Sequence, residues 1–219
     1  AAHAHGSSLN GEKAGTFGDA SSFSFYPTKL ITSAEGGMIL TNDNELRKRA
    51  IIFRDQGKIA YQRNIHTELG YNWRMSELHA ILGLHQLNHL EDFINRKKKI
   101  ARIYDESLEE IDGATPLSMP KGLRCNFYKY IVLLDRGINR TKLKEKMKNK
   151  FNINLSGEVY ELPCHLQPIF KKECGYKEGD LPVSEDICSR HICLPIYPTM
   201  KREEIDYVVD SLKRALGNR

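Results

Sequence analysis

No apolar run in this sequence approaches the roughly 20 residues that a membrane-spanning helix requires, and its start has neither a basic n-region nor a long apolar stretch, so no targeting segment is read there. The opening Ala-Ala-His-Ala-His-Gly also lacks an initiator Met, and the sequence is expected to be cut from something longer. Cysteine is sparse and oddly numbered. Cys125, Cys164, Cys174, Cys188 and Cys193 contain no C-x-x-C pair, which argues against a secreted disulfide framework and against a zinc site, and leaves reduced thiols in a cytoplasm as the expectation. Internal repeats are lacking too. Charge of one sign is only mildly in excess, at +5. The basic residues fall in two tracts, Arg96 to Arg102 and Lys142 to Lys150, with apolar residues at helical intervals, so they read as solvated helix faces and not as a nucleic-acid surface.

What is present is an ordinary globular composition, 40% apolar and 28% charged over 219 residues, long enough for one ample core or two smaller ones. Ala20 to Tyr26 reads as a short strand leaving a sheet at Pro27, which puts Lys29 just beyond a strand end. Met38 to Thr41 reads as a buried strand, and Asn42, with Glu45 three positions on, as the cap of a helix carrying Leu46, Ala50 and Ile51 inward. From Ser76, apolar residues from Leu78 to Ile111 follow helical spacing, as one long helix or two that nearly join. Regular structure breaks between Gly113 and Arg124, where Pro116 and Pro120 fall. Beyond it come a strand at Tyr128 to Leu134, a basic helix from Arg140 to Lys150, extended segments at Ile153 to Tyr160 and Ile192 to Tyr197, and a closing helix capped near Gly217. Mixed strands and helices suggest α/β for the first part and a small α+β domain for the second.

The segment Ser24-Phe25-Tyr26-Pro27-Thr28-Lys29 is the chemically informative one. A lysine at a strand end, beside aromatic side chains and hydroxyls, can lose part of its solvation, which favours the neutral amine that attacks a carbonyl. Ser24 and Thr28 offer hydroxyl donors to a phosphate, and Gly36 and Gly37 allow close backbone approach to a ligand. His85 and His89 stand at i, i+4 on a helix, but Gln86 follows the first where zinc proteases carry Glu, so no metal site is assigned.

The run from Gly18 to Lys29 with Glu35-Gly36-Gly37-Met38 closely resembles the cofactor-lysine region of DegT-type sugar-nucleotide aminotransferases, a branch of the fold-type I pyridoxal-phosphate (PLP) enzymes. Arg54-Asp55-Gln56-Gly57 resembles that family's R-D-x-G, and Leu69-Gly70-Tyr71-Asn72-Trp73-Arg74-Met75-Ser76 its L-G-Y-N-x-R-M-S/T. Pro163 to Pro168 resembles P-x-H-x-Q-P, and Leu194 to Pro198 resembles L-P-x-Y-P, so the likeness extends over nearly the whole sequence.

The resemblance implies an aspartate-aminotransferase-like fold, with residues 1–95 the remainder of the PLP-binding large domain and residues 96–219 a small α+β C-terminal domain that includes the linking helix. Carried over by position, Lys29 would hold the cofactor as a Schiff base, Ser24 would bond its phosphate, and His3, where the family usually has Gln, would contact the pyridine ring hydroxyl. Asn72 would reach the phosphate of the cofactor in the neighbouring subunit of a homodimer, with Arg74 near it, and His165 would line the sugar-nucleotide pocket. The implied reaction moves an amine from an amino-acid donor, L-glutamate, to a nucleotide-linked keto-sugar, in amino-sugar and surface-polysaccharide biosynthesis. A neighbouring branch that dehydrates sugars has His where Lys29 stands, so the lysine favours transamination. The family's pyridine-nitrogen aspartate would immediately precede Ala1, so the sequence corresponds to the C-terminal part of such an enzyme and alone is expected to be incomplete. Two other classes are carried beside this one. A basic nucleic-acid-binding regulator would lose affinity steeply with salt and be indifferent to Lys29→Ala. A dimerisation fragment would self-associate and show no cofactor spectrum.

Overall fold

The computed structural model describes residues 1–60, 62–155 and 162–217. The chain divides into two compact units, one made of Ala1–Asn95 and Met119–Tyr128, the other of Arg96–Ser118 and Lys129–Arg219. In chain order the elements are β1 (Ser8–Leu9), β2 (Glu12–Lys13), β3 (Ala20–Ser24), β4 (Gly37–Thr41), α1 (Asn44–Arg54), β5 (Lys58–Ala60), β6 (Arg63–His66), α2 (Glu77–Asn88) and α3 (Leu90–Leu108). Then follow β7 (Ala114–Pro116), β8 (Leu123–Arg124), β9 (Tyr130–Leu134), α4 (Arg140–Phe151), α5 (Pro168–Cys174), α6 (Pro182–Arg190), β10 (His191–Leu194) and α7 (Arg202–Leu216).

In the first unit β3 and β4 form an antiparallel pair in which Ser24 faces Gly37 and Ala20 faces Thr41. The strand at β4 is where the sequence led us to expect burial, yet Met38, Ile39 and Leu40 are 51%, 58% and 40% exposed. Among the described residues this sheet has two strands and no layer covers β4, and apolar composition buries a strand only where another layer covers it. Helix α1 begins one residue later than expected. Asp43, not Asn42, is its cap, because Asp43 Oδ1 accepts from the backbone N–H groups of Glu45 at 2.7 Å and Leu46 at 3.1 Å. Of the three residues expected to face inward, Leu46 and Ala50 are half-buried and Ile51 is exposed. The long helical pattern resolves into α2 and α3, with His89 closing the first by donating its N–H to Gln86 and Leu87 carbonyls.

The second unit carries the denser core. Its three-stranded antiparallel sheet has the order β10-β9-β7, and β9 alternates buried and half-buried residues as a sheet with one covered face requires. Val132, Leu134, Ile192 and Leu194 from the sheet are buried, as are Leu143, Met147 and Phe151 of α4 and Ile205, Val208 and Leu212 of α7. Two buried phenols are satisfied within the unit: Tyr104 Oη donates to the Pro195 carbonyl at 2.8 Å and Tyr130 Oη to Asp105 at 2.6 Å. Gly217 closes α7 in the left-handed conformation, at φ 91°. Of the segment expected to be extended from Ile153 to Tyr160, residues 156–160 lie outside the described residues, while Ile153 and Leu155 are buried. Among the described residues no helix is long and apolar enough to cross a membrane.

Candidate functional site

The lysine site is built at the end of β3. Tyr26-Pro27-Thr28-Lys29 forms a turn closed by the Lys29 N–H donating to the Tyr26 carbonyl at 2.9 Å, and proline at its second position presets the required φ. The chain then dives inward at Leu30 and Ile31, both buried, so the lysine is anchored from its C-terminal side. Its Nζ lies 5.3 Å from the centre of the Tyr128 ring. Among the described residues, this amine has an aromatic ring beside it and no carboxylate as an ion-pair partner. Thr28 Oγ1 and Tyr128 Oη share a hydrogen bond of 3.2 Å.

His3 joins the same ring from the N-terminal segment, its imidazole 4.4 Å from the Tyr128 ring centre to centre and inclined by 39°. The structure thus brings Lys29 and His3 together on one aromatic side chain. Ser24 stands at the end of β3, and its Oγ accepts from the Tyr26 N–H at 3.4 Å. Beneath them His5 is buried between Phe23 and Phe25, with ring centres 5.3 Å and 5.6 Å away. Neither of its ring nitrogens has a well-formed hydrogen bond to any described residue. Burial pushes the His5 pKa down; the Ser24 backbone opposes this without making a well-formed hydrogen bond, and the charge on Lys29 adds to the lowering.

Asn72 and Arg74 lie elsewhere in the same unit, in a crossing of two chain segments. Asn72 bridges Asp55, Gln56 donates its N–H to the Tyr71 carbonyl at 2.9 Å, and Tyr71 donates to Phe53 at 2.9 Å. The Arg74 guanidinium pairs with the nearly buried carboxylate of Asp55. The crossing needs two glycines. A Cβ on Gly57, whose φ is +77°, would stand 1.8 Å from the Glu68 carbonyl oxygen, and one on Gly70 would stand 2.1 Å from the Gly57 nitrogen. So the R-D-x-G and L-G-Y-N segments interlock through their backbones, with Asn72 presented at the surface.

His165 belongs to the second unit, on a short 3₁₀ turn at Cys164–Leu166. It is 5% exposed, and its Nε2 is bonded to Glu185 at 2.9 Å. Glu185 also accepts from the N–H groups of Gly179 at 3.0 Å and Leu181 at 3.3 Å. The bond from His165 and those backbone donors hold the Glu185 carboxyl below its ordinary pKa. The ring is therefore committed on one side to Glu185. His85 and His89 contact each other, with centres 4.9 Å apart, on an exposed helix face, and among the described residues no cluster of three metal-ligating side chains occurs.

Sequence reasoning missed Tyr128, Asn126 and His5. The first two lie far along the chain from the lysine and carry no local motif, while His5 reads as one of two histidines in an Ala-His-Ala-His run.

The profile of the DegT/DnrJ/EryC1/StrS aminotransferase family matches residues 1–213. An uncharacterised protein of Methanocaldococcus jannaschii is 37% identical, the match covering 99% of this chain and 59% of that protein. A GDP-perosamine synthase of Escherichia coli is 34% identical over 96% of this chain and 56% of its own length. Among solved structures, that of DesV from S. venezuelae in complex with a ketimine intermediate superposes with a TM-score of 0.87 at 27% identity, covering 100% of this chain and 57% of that one. The chain spans little more than half the length of the curated relatives it matches.

Proposed function

We infer, from the DegT/DnrJ/EryC1/StrS aminotransferase family to which this chain belongs, that the complete protein is a PLP-dependent aminotransferase whose acceptor is a nucleotide-linked keto-sugar and whose donor is an amino acid, L-glutamate. The observation that carries this reading is the Lys29 amine held over Tyr128 at the end of β3, with His3 on the same ring.

The residues present fit the cofactor. A lysine with no ion-pair partner among the described residues, next to an aromatic ring, leaves its amine available to a carbonyl. Two imidazoles and a strand-end hydroxyl complete the set, and one imidazole is buried without a hydrogen-bonding partner among the described residues. Pyridoxal phosphate, when bound, supplies the electron sink that lets an amino acid release its amine. Lys29 would hold the cofactor, and its Nζ would be the base that takes a proton from the donor's α-carbon. The Ser24 hydroxyl would donate to the phosphate, and His3 would contact the ring hydroxyl. Asn72 serves the cofactor phosphate of the neighbouring subunit, with Arg74 beside it, in a homodimer whose active sites are shared. His165 lines the sugar-nucleotide pocket, oriented by Glu185 through the bond to its Nε2. The cysteine pattern supports a cytoplasmic setting.

The names of the relatives support the substrate class: the 34% identical protein is a GDP-perosamine synthase, and others are transaminases of dTDP- and UDP-linked sugars. The test is transfer of label from ¹⁵N-glutamate to a panel of GDP-, dTDP- and UDP-linked keto-sugars, read by mass spectrometry, with the complete protein. Labelled amino-sugar is the expected product in at least one reaction. Absence of transfer to every sugar, with other keto acids accepted from the same donor, would replace the sugar by a small-molecule acceptor.

A further inference from the structure

The geometry points to Tyr128, set by Asn126, as the residue that positions Lys29 and His3 toward each other. This rests on the reading of Lys29 as the cofactor lysine and assigns a role that the local lysine motif does not contain.

Asn126 is 3% exposed, and both ends of its amide are used. Its Nδ2 donates to the His3 carbonyl at 2.8 Å and to the His5 carbonyl at 3.0 Å, which pins the N-terminal segment. Its Oδ1 accepts from the Tyr128 N–H at 2.9 Å, and its own N–H donates to Ser7 Oγ at 3.2 Å. Between these contacts Phe127 sits at φ +48°, a left-handed conformation that bulky residues adopt only when their surroundings impose it. The strain is therefore held by the same amide that fixes the two chain segments. Its result is to present the Tyr128 side chain at the end of β3, where Thr28 Oγ1 shares a hydrogen bond with the phenol.

Three links then converge on one ring: the Lys29 amine at 5.3 Å from its centre, the His3 imidazole at 4.4 Å, and the Thr28 hydroxyl at its oxygen. A lysine side chain has several freely rotating bonds, and ordering it costs entropy that a fixed partner offsets. The face of an aromatic ring attracts a positively charged nitrogen. Tyr128 thereby supplies a resting place for the lysine nitrogen, and among the described residues the amine is kept near the strand end without being locked in an ion pair. The phenol oxygen is the lesser part of the device, since the attraction belongs to the ring.

The experiment compares the wild type with Tyr128→Ala, Tyr128→Phe and Asn126→Ala, each in the complete protein. Each is incubated with pyridoxal phosphate, reduced with borohydride and digested, and adduct on the Lys29 peptide is divided by adduct on the peptide of Lys48, an exposed lysine in the same molecule. Melting temperatures check that the variants fold. The ratio is expected to fall about fivefold in Tyr128→Ala, the scale of ordering one long side chain that has lost its fixed partner, and to stay within about twofold of wild type in Tyr128→Phe. Asn126→Ala should fall on the side of Tyr128→Ala. A second readout needs no cofactor: the imidazole protons of His3 carry a ring-current shift that disappears in Tyr128→Ala and survives in Tyr128→Phe. A wild-type preference for Lys29 that is equal in Tyr128→Ala overturns the role of Tyr128 and leaves the function standing. No preference for Lys29 in the wild type overturns the reading of the lysine itself. A Tyr128→Phe variant as impaired as the alanine variant, both well folded, overturns the claim that the ring does the positioning.

Discussion

At the scale of single residues, Lys29 is the group on which the chemistry depends. Its side chain ends over Tyr128 and no ion pair among the described residues ties it to the fold, so removing it should cost the structure little. In the complete protein Lys29→Ala is expected to reduce amine transfer to background while the melting temperature stays within a few degrees; near-normal turnover would take Lys29 out of its role. His5 offers a pH test of a different kind. Burial lowers its pKa, so below about pH 6.5 an unfolded chain binds a proton that the folded ring resists. Stability contributed by the neutral ring is complete above that value and declines as pH falls through it. Replacing His5 with Leu should flatten the decline in thermal melts followed from neutral to mildly acid pH, and an unchanged slope would mean that other groups carry it. The lysine segment could be read from sequence because its parts are contiguous, the strand, the proline turn and the amine falling within a few residues. Tyr128 could not, because a ring that meets Lys29 by way of a left-handed Phe127 and a buried Asn126 leaves no periodic or local trace.

At the scale of elements, the interlocked segments around Asp55 behave as one unit. Gly57→Ala combines a positive φ with a Cβ 1.8 Å from the Glu68 carbonyl oxygen. It should destabilise the protein by about 2–4 kcal/mol in chemical denaturation, since backbone cannot yield as a side-chain tip can. A cost below about 0.5 kcal/mol would show that the crossing opens freely. In the second unit, the loop from Gly179 to Leu181 hangs on Glu185, whose carboxyl is held below its ordinary pKa first by His165 and then by backbone donors. A lowered carboxyl contributes stability that is full above its unfolded pKa, about 4.5, and is lost as pH falls through the folded value. Glu185→Gln should therefore lose its stability less steeply than the wild type in that acid window. Helices were the most legible elements: α4 and α7 follow their apolar spacing, and Gly217 caps α7 where the sequence places it. The strand β4 was legible as a strand but not in its exposure, because composition reports what a residue could bury and not what lies above it.

At the scale of the whole molecule, the family likeness reaches across both units, while the roles proposed for Asn72, Arg74 and His165 are assigned by position. The proposal that Asn72 serves the neighbouring subunit makes a prediction about assembly. In the complete protein, Lys29→Ala and Asn72→Ala should each lose activity, and mixing them after dissociation should restore about a quarter of the wild-type rate, since half the dimers then carry one intact site of two. No recovery on mixing, with dimers shown to exchange, would place Lys29 and Asn72 in the same chain's site. Sequence motifs revealed the order of these parts along the chain; their division into a lysine cluster, a glycine crossing and a histidine–glutamate pair emerged only from the fold. The most direct test of the central claim is the mass of the wild-type protein after pyridoxal phosphate and borohydride, followed by peptide mapping. A single reduced adduct on the peptide containing Lys29 is the predicted result. An adduct spread over exposed lysines, or none on that peptide, would contradict the assignment of Lys29 as the residue that holds the cofactor.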